Sequence, residues 1–376
     1  MPCDYHLLPH EGIQTLSPYI PGKSAEELAR EQHLHNIIKL ASNENPLGCS
    51  PNVIKALAEL SGHQLATYPA PATHPLRKKI AQKLGLDAEM IILGNGTDLL
   101  FPLMLTCFAL HRDKHLLLHQ YAFISYAIHA KTQGIPVHQV ELKENWEVDI
   151  KAFIKNCTED TALIFLANPN NPTGSMVSSK DIKFLLENIP ESTILVLDEA
   201  YYEYVSQTHN HDSLHLLSAH SNLIITRTFS KAYGLAGLRI GYAIAHPDII
   251  SILLKAMPPF TVSQTALVAA AAALDDDVFI KESVLNNTLG LEQMIQGLKH
   301  LNLSYLPPAG NFITINCTTD AAAIYQALQR HGIIVRPLHP YGLNHYLRVT
   351  IGTAEQNERF LATLALCMAE SKEFKL

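Results

Sequence analysis

Apolar residues along this chain fall into two textures. Between positions 90 and 245 they form short unbroken runs, at 90–93, 115–119, 163–167, 194–197, 223–228 and 240–245. Each is too short for a helix and none alternates with polar residues, the pattern of strands buried on both faces. Helical spacing lies between them, from about 98 to 110 and from 178 to 188, where Ser178-Ser179-Lys180-Asp181 predicts a capping box with Asp in place of Glu. Strands alternating with helices predict an α/β fold, a doubly wound and mostly parallel sheet.

The flanks read differently. From position 268 a long helical stretch runs through 301, followed by a strand at 311–316, a helix near 321–331, strands around 333–336 and 347–351, and a final helix. That order predicts a smaller α+β domain. The first forty-odd residues carry Pro9, Pro18, Pro21 and Pro46 with little periodicity, as in an arm laid over another surface. The expected division is an arm at 1–42 packing on the small domain or a partner subunit, a large domain at 43–267, and a small domain at 268–376.

Composition narrows the function. A chain of 376 residues, with 47% hydrophobic and 17% charged residues, suits about two folded domains and excludes general disorder. A net charge of −7 leaves no basic field for nucleic acid, so any anion must be bound locally. The start lacks a basic segment followed by an apolar one, and the longest apolar run, 266–274, is far too short for a membrane span. A cytoplasmic address is expected. The six cysteines lie tens of residues apart with no CxxC pair, and the many histidines lack carboxylate or cysteine partners at ligand spacing, so neither disulfides nor a metal site is expected.

Four motifs follow predicted strands, where open α/β sheets place ligands. After 223–228 comes Ser230-Lys231, then small residues and Arg239. A lone lysine there is ordinarily a solvated loop residue. With Thr228, Ser230 and Arg239 beside it, the segment could close on a phosphate while the amine reaches a carbonyl carbon. After 194–197 comes Asp198-Glu199-Ala200-Tyr201. One Asp could simply end a strand, but it could also pair with a protonated pyridine nitrogen, leaving Tyr201 to donate to a phenolic oxygen. The loop Asn168-Pro169-Asn170-Asn171-Pro172-Thr173-Gly174 is turn chemistry by composition, stiff enough to hold the Asn171 amide beside a planar ligand. Last, Gly94-Asn95-Gly96-Thr97-Asp98 opens a helix, where the free N–H groups of Gly96, Thr97 and Asp98 make an anion site. No third glycine completes a dinucleotide fingerprint, so a phosphate monoester fits better.

From about Asn43 through Arg348, motif order and spacing resemble the aspartate-aminotransferase-like (fold type I) family of pyridoxal-phosphate enzymes, most specifically over 230–239. Within it, Leu16-Ser17-Pro18-Tyr19, the segment 41–48, Thr67-Tyr68-Pro69 and Gly332-Ile333-Ile334-Val335-Arg336 resemble the histidinol-phosphate aminotransferases. The resemblance implies pyridoxal 5'-phosphate bound to Lys231, with Tyr121 stacked on its ring. It implies a homodimer in which Tyr68 reaches the neighbouring subunit's cofactor phosphate, and Tyr19, Asn43, Arg336 and Arg348 at the substrate. The implied reaction moves an amino group between glutamate/2-oxoglutarate and histidinol phosphate/imidazole-acetol phosphate. Threonine-phosphate decarboxylases and aromatic-amino-acid aminotransferases share the scaffold and remain open alternatives. A non-catalytic cofactor-binding regulator has no residues left over for a DNA-reading module. Two departures bear on substrate preference: Pro337-Leu338-His339-Pro340 after Arg336, and Tyr233 where Phe is frequent.

Overall fold

The computed structural model describes residues 3–18, 23–70, 74–205 and 213–373. Among these the strands, in chain order, are β1 Ile38–Lys39, β2 Ile91–Gly94, β3 His115–His119, β4 Val137–Val140, β5 Thr161–Ala167, β6 Ile194–Asp198, β7 Leu223–Thr228, β8 Gly241–Ala245, β9 Tyr305–Leu306, β10 Phe312–Asn316, β11 Ile333–Ile334, β12 Arg336–Leu338 and β13 Leu343–Thr350. The chain forms two compact units: Met1–Pro18, Cys49–Asn171 and Met176–Asp277 in the first, Tyr19–Gly48, Pro172–Ser175 and Val278–Leu376 in the second.

The first unit holds a sheet of order β2-β8-β7-β6-β5-β3-β4. Strands β4, β3, β5, β6 and β7 run parallel, and β8 is antiparallel to both its neighbours. Every residue of β2, β3, β5, β6, β7 and β8 is buried, which is why each carries a short apolar run. Strand β4 was not predicted. It lies at the edge, and its exposed His138 and Gln139 interrupt any apolar run.

The helix Thr97–Phe108 packs Leu100, Phe101 and Met104 into a core shared with Tyr126, Phe165, Val196 and Ile224. The predicted capping box at 178 forms only in half. Ser178 Oγ accepts the Asp181 N–H at 3.1 Å, but the aspartate takes the Ser178 hydroxyl at 2.7 Å. Aspartate is one methylene shorter than the glutamate that ordinarily reaches back to the cap N–H.

In the second unit, β12-β13-β10-β9 form an antiparallel sheet and β1 pairs with β11 in parallel. Ile313, Ile315, Leu347 and Val349 pack against Ile324, Leu328, Phe360 and Leu364 of the helices Ala321–Arg330 and Ala354–Glu373. The predicted strand at 333–336 is two strands serving two sheets, divided at Val335.

The unit boundaries differ from the expected three-part division. The single helix expected up to 301 breaks at 274–276 into Gln264–Ala273 and Asp277–His300. Its first half stays with the first unit because Lys79 and Lys83 donate to the Ala271 and Leu274 carbonyls at 2.8 and 2.7 Å. The expected arm also divides. His10 bonds the Thr132 carbonyl at 3.1 Å in the first unit, while Ile38 and Leu40 N–H groups bond the Gly332 and Ile334 carbonyls in the second. Among the described residues no helix is long and apolar enough to cross a membrane.

Candidate functional site

Strand register sets two short rows of residues at the carboxyl end of the parallel strands, two residues apart along β7. Ala167 lies opposite Asp198, Asp198 opposite Thr226, Thr228 opposite Gly241, and Gly241 opposite Gly94. Asp198 is 5% exposed. Its Oδ2 accepts the Tyr126 hydroxyl at 2.6 Å and its Oδ1 the Thr226 hydroxyl at 2.8 Å. The carboxyl pKa is pushed up to about 6: burial raises it most, the two donors pull against that rise, and Glu199 and Asp98 add to it. The arrangement suits a carboxylate that faces a cation brought in by a ligand.

The opposite face of the same two strands carries a buried ion pair. Arg227 points away from Thr226 by strand alternation, and its Nε and Nη2 meet Glu199 Oε2 at 2.9 and 2.8 Å. Ser213 donates to the other glutamate oxygen, and the guanidinium lies 3.4 Å from the centre of the Tyr202 ring. The Glu199 N–H also bonds the Thr226 carbonyl at 2.8 Å. Together these tie the end of β6 to β7 beside the Asp198–Thr226 pair.

Beside the second row, Gly96 follows β2 and Arg239 precedes β8. Gly96 caps the helix Thr97–Phe108 with φ +69°, and a Cβ there would sit 2.5 Å from Arg239 Nη2. A Cβ on Gly241 would sit 2.8 Å from the Thr97 nitrogen. The two missing side chains let a guanidinium and a helix N-terminus approach each other, which fits a phosphate monoester. Arg239 Nη1 donates to Ser230 Oγ at 3.3 Å, and the Ser230 N–H donates to Thr228 Oγ1 at 3.1 Å. Asp98 meets His129 Nε2 at 3.2 Å, and that contact holds its pKa below the usual value.

Lys231 Nζ stands 5.9 Å from the centre of the buried Tyr201 ring. Asn171 is buried, and its neighbour Asn170 donates to the Tyr121 carbonyl at 2.9 Å, fixing the loop after β5 to the loop after β3. Among the described residues ten non-glycine residues have positive φ, and three of them, Asn43, Tyr121 and Arg239, are sequence-predicted site residues. Backbone strain of this kind persists where surrounding structure holds it, often at functional sites. Tyr68 sits on an exposed face, stacked on Phe260 at 4.5 Å.

In the second unit, the Asn43 N–H donates to Thr350 Oγ1 at 2.9 Å and Asn311 donates to the Asn43 carbonyl at 3.0 Å. Arg348, largely buried, donates to the Ala41 carbonyl at 2.6 Å. Arg336 is its register partner on β12, and the strand forms in spite of Pro337, with an irregularity between Pro337 and Leu338. Tyr19 lies outside the described residues.

Sequence reasoning missed Tyr126, Thr226, Glu199, Arg227 and His129. Arg227 carried a usable signal, since a charge inside a strand read as buried on both faces requires an acidic partner. Tyr126 carried none, because a tyrosine within an apolar helix reads as core.

Residues 35–364 match the family described as "Aminotransferase class I and II". Histidinol-phosphate aminotransferase 2 of Legionella pneumophila (strain Lens) is 53% identical over 364 residues, covering 97% of this chain and 99% of that protein. The protein of the same name from Haemophilus influenzae (strain 86-028NP) is 42% identical over 361 residues, covering 96% and 98%. The crystal structure of histidinol-phosphate aminotransferase from Sinorhizobium meliloti, in complex with pyridoxal-5'-phosphate, superposes with a TM-score of 0.87 at 28% identity, covering 97% of this chain and 98% of that one. The chain belongs to the class I and II aminotransferase family and, within it, to the histidinol-phosphate aminotransferases.

Proposed function

We propose that this protein is a pyridoxal 5'-phosphate-dependent transaminase of histidine biosynthesis, moving an amino group between glutamate/2-oxoglutarate and histidinol phosphate/imidazole-acetol phosphate. The observation that carries the chemistry is Asp198, a buried carboxylate with a donor on each oxygen, at the same end of the sheet as the Gly96–Arg239 cradle. The substrate assignment rests on relatives of that name at 53% identity over nearly the whole chain.

The cofactor, when bound, supplies an aldehyde that takes up amines and a protonated ring that withdraws electrons from the substrate carbon. Lys231 Nζ would hold the cofactor through its aldehyde carbon. Freed from that carbon, the same nitrogen would act as the base and acid that moves a proton from the substrate α-carbon to the cofactor carbon on the far side of the substrate nitrogen. Asp198 keeps the ring nitrogen protonated, Tyr201 and Asn171 hold the phenolic oxygen, and Tyr121 covers the ring face. Gly96, Thr97, Asp98, Thr228, Ser230 and Arg239 bind the phosphate, by backbone N–H, hydroxyl or guanidinium groups.

Asn43, Arg336, Arg348 and Tyr19 take the anionic end of the substrate. Arg336 and Arg348 are in register on adjacent strands, which places both guanidinium groups on one face of the sheet. A guanidinium pair serves a carboxylate and a phosphate alike, as two alternating substrates require.

Leu65, Tyr68 and Phe260 are 58%, 82% and 50% exposed, an apolar face that a second copy would cover, bringing Tyr68 to the partner's cofactor phosphate. Sedimentation should therefore return twice the 41.6 kDa chain mass, and a monomer at micromolar concentration would contradict the shared site. All six cysteines are free thiols, in keeping with a cytoplasmic address.

The reaction is tested by mixing the loaded enzyme separately with histidinol phosphate, threonine phosphate and tyrosine while recording the cofactor spectrum. Histidinol phosphate should convert the cofactor to its aminated form fastest. Carbon dioxide release from threonine phosphate, or faster conversion by tyrosine, would replace the assignment.

A further inference from the structure

We infer that Tyr126 is a positioning residue for the reaction: its hydroxyl orients the Asp198 carboxylate and holds it in the anionic form that a cationic ring nitrogen requires. The inference rests on the proposed placement of Asp198 at that nitrogen.

Tyr126 is completely buried on the helix Ile124–Thr132. Phe101, Phe123 and Phe165 pack edge-on around its ring, at 5.0, 5.4 and 5.1 Å between centres. Three aromatic walls leave the ring little rotational freedom, so the 2.6 Å contact from its hydroxyl to Asp198 Oδ2 is set by packing before any ligand arrives. Thr226 holds the other oxygen from β7. A carboxylate fixed through both oxygens keeps its remaining lone pairs in a constant direction.

Other charges near Asp198 do not do this work. Glu199, on its own loop, and Asp98, from the helix Thr97–Phe108, both make its ionisation harder. Glu199 is neutralised by Arg227 of β7, and β5 presents Ala167 opposite Asp198. Buried among these, the carboxylate would take up a proton near neutrality without hydroxyl donors. A protonated Asp198 cannot pair with a cationic nitrogen, so the Tyr126 hydroxyl sets the lowest pH at which the cofactor is held well.

The test is the affinity of the cofactor-free protein for pyridoxal phosphate from about pH 5 to about pH 8, for the parent, Tyr126→Phe, Asp198→Asn, and a form with fluorotyrosine at 126. The cofactor's own titrations are common to all four. Phenylalanine keeps the ring in its cage. Affinity of Tyr126→Phe should match the parent at the alkaline end, then fall on acidification about one pH unit earlier, about tenfold weaker in between. Fluorotyrosine, a stronger donor of the same shape, should move the fall to lower pH, which keeps the test decisive if Tyr126→Phe does not fold. An unchanged profile in both variants, or a loss equal at every pH, overturns the inference. If instead Asp198→Asn itself binds and titrates like the parent, the placement of Asp198 on the ring nitrogen fails.

Discussion

Lys231→Ala should lower transamination by at least about ten-thousand-fold, because one nitrogen is asked both to bond the aldehyde and to carry the proton between two carbons. Lys231→Arg separates the charge from the chemistry. Arginine keeps a cation beside Tyr201 and Ser230 but offers no neutral amine at working pH, so it should be about as inactive as alanine while still binding the cofactor through the Gly96–Arg239 cradle. Rates are best compared in single turnovers with histidinol phosphate, where product release does not mask the chemical step. Turnover of either variant near the parent level would remove Lys231 from its assigned role.

Asp198 should show the second largest effect and expose a conflict between stability and function. Asp198→Ala should cut the rate at least about a hundredfold further than Asp198→Glu, since a longer carboxylate still offers charge to the ring whereas a methyl offers none. The cofactor-free protein should respond in the opposite sense. The folded-state pKa of about 6 lies above the 3.8 of a free aspartate, so the fold favours the protonated acid. That preference stabilises the fold below about pH 4 and is lost as pH rises through about 6, leaving the ionised group a cost of about 3 kcal/mol at neutral pH. Asp198→Asn without cofactor should accordingly melt at a higher temperature than the parent at about pH 7.5, and the gap should close on acidification toward about pH 4. A gap that widens on acidification would mean the carboxylate is more comfortable ionised than its surroundings imply. A site kept at the expense of stability is what a pre-organised ligand pocket produces.

What was legible in the sequence divides by the kind of force responsible. The central sheet was legible because strands buried on both faces are mostly apolar, and β2, β3, β5, β6, β7 and β8 are, with polar residues chiefly toward their ends. Edge strand β4 escaped because His138 and Gln139 need not be apolar where they meet water. The positions of Asp198, Lys231, Asn171 and Gly96 were visible as polar punctuation at or after strand ends, and the strands concerned, β6, β7, β5 and β2, end at the same edge of the sheet. The groups that support them were not visible, for two reasons. Tyr126 looks like core because most of it is core, with one oxygen performing the polar task. Glu199 and Arg227 belong together only through the β6–β7 register, 28 residues apart in the chain.

The unit boundaries were less legible for a related reason. Residues 268–277 carry the same helical texture as the helix Asp277–His300, yet two lysines fix them to the first unit through backbone carbonyls, an interaction with no sequence period. Residues 23–48 look irregular because the helix Ala25–Gln32 is short and largely exposed and β1 is only two residues long. Their structure comes from pairing with β11, far along the chain.

The measurement that bears most directly on the central claim is borohydride reduction of the native, cofactor-loaded protein, with peptide mass mapping of the product. A single pyridoxyl adduct is expected, on the peptide carrying Lys231, and none at that position in the Lys231→Arg protein. An adduct on a different lysine, or none in a protein that otherwise binds the vitamin's phosphate, would contradict it.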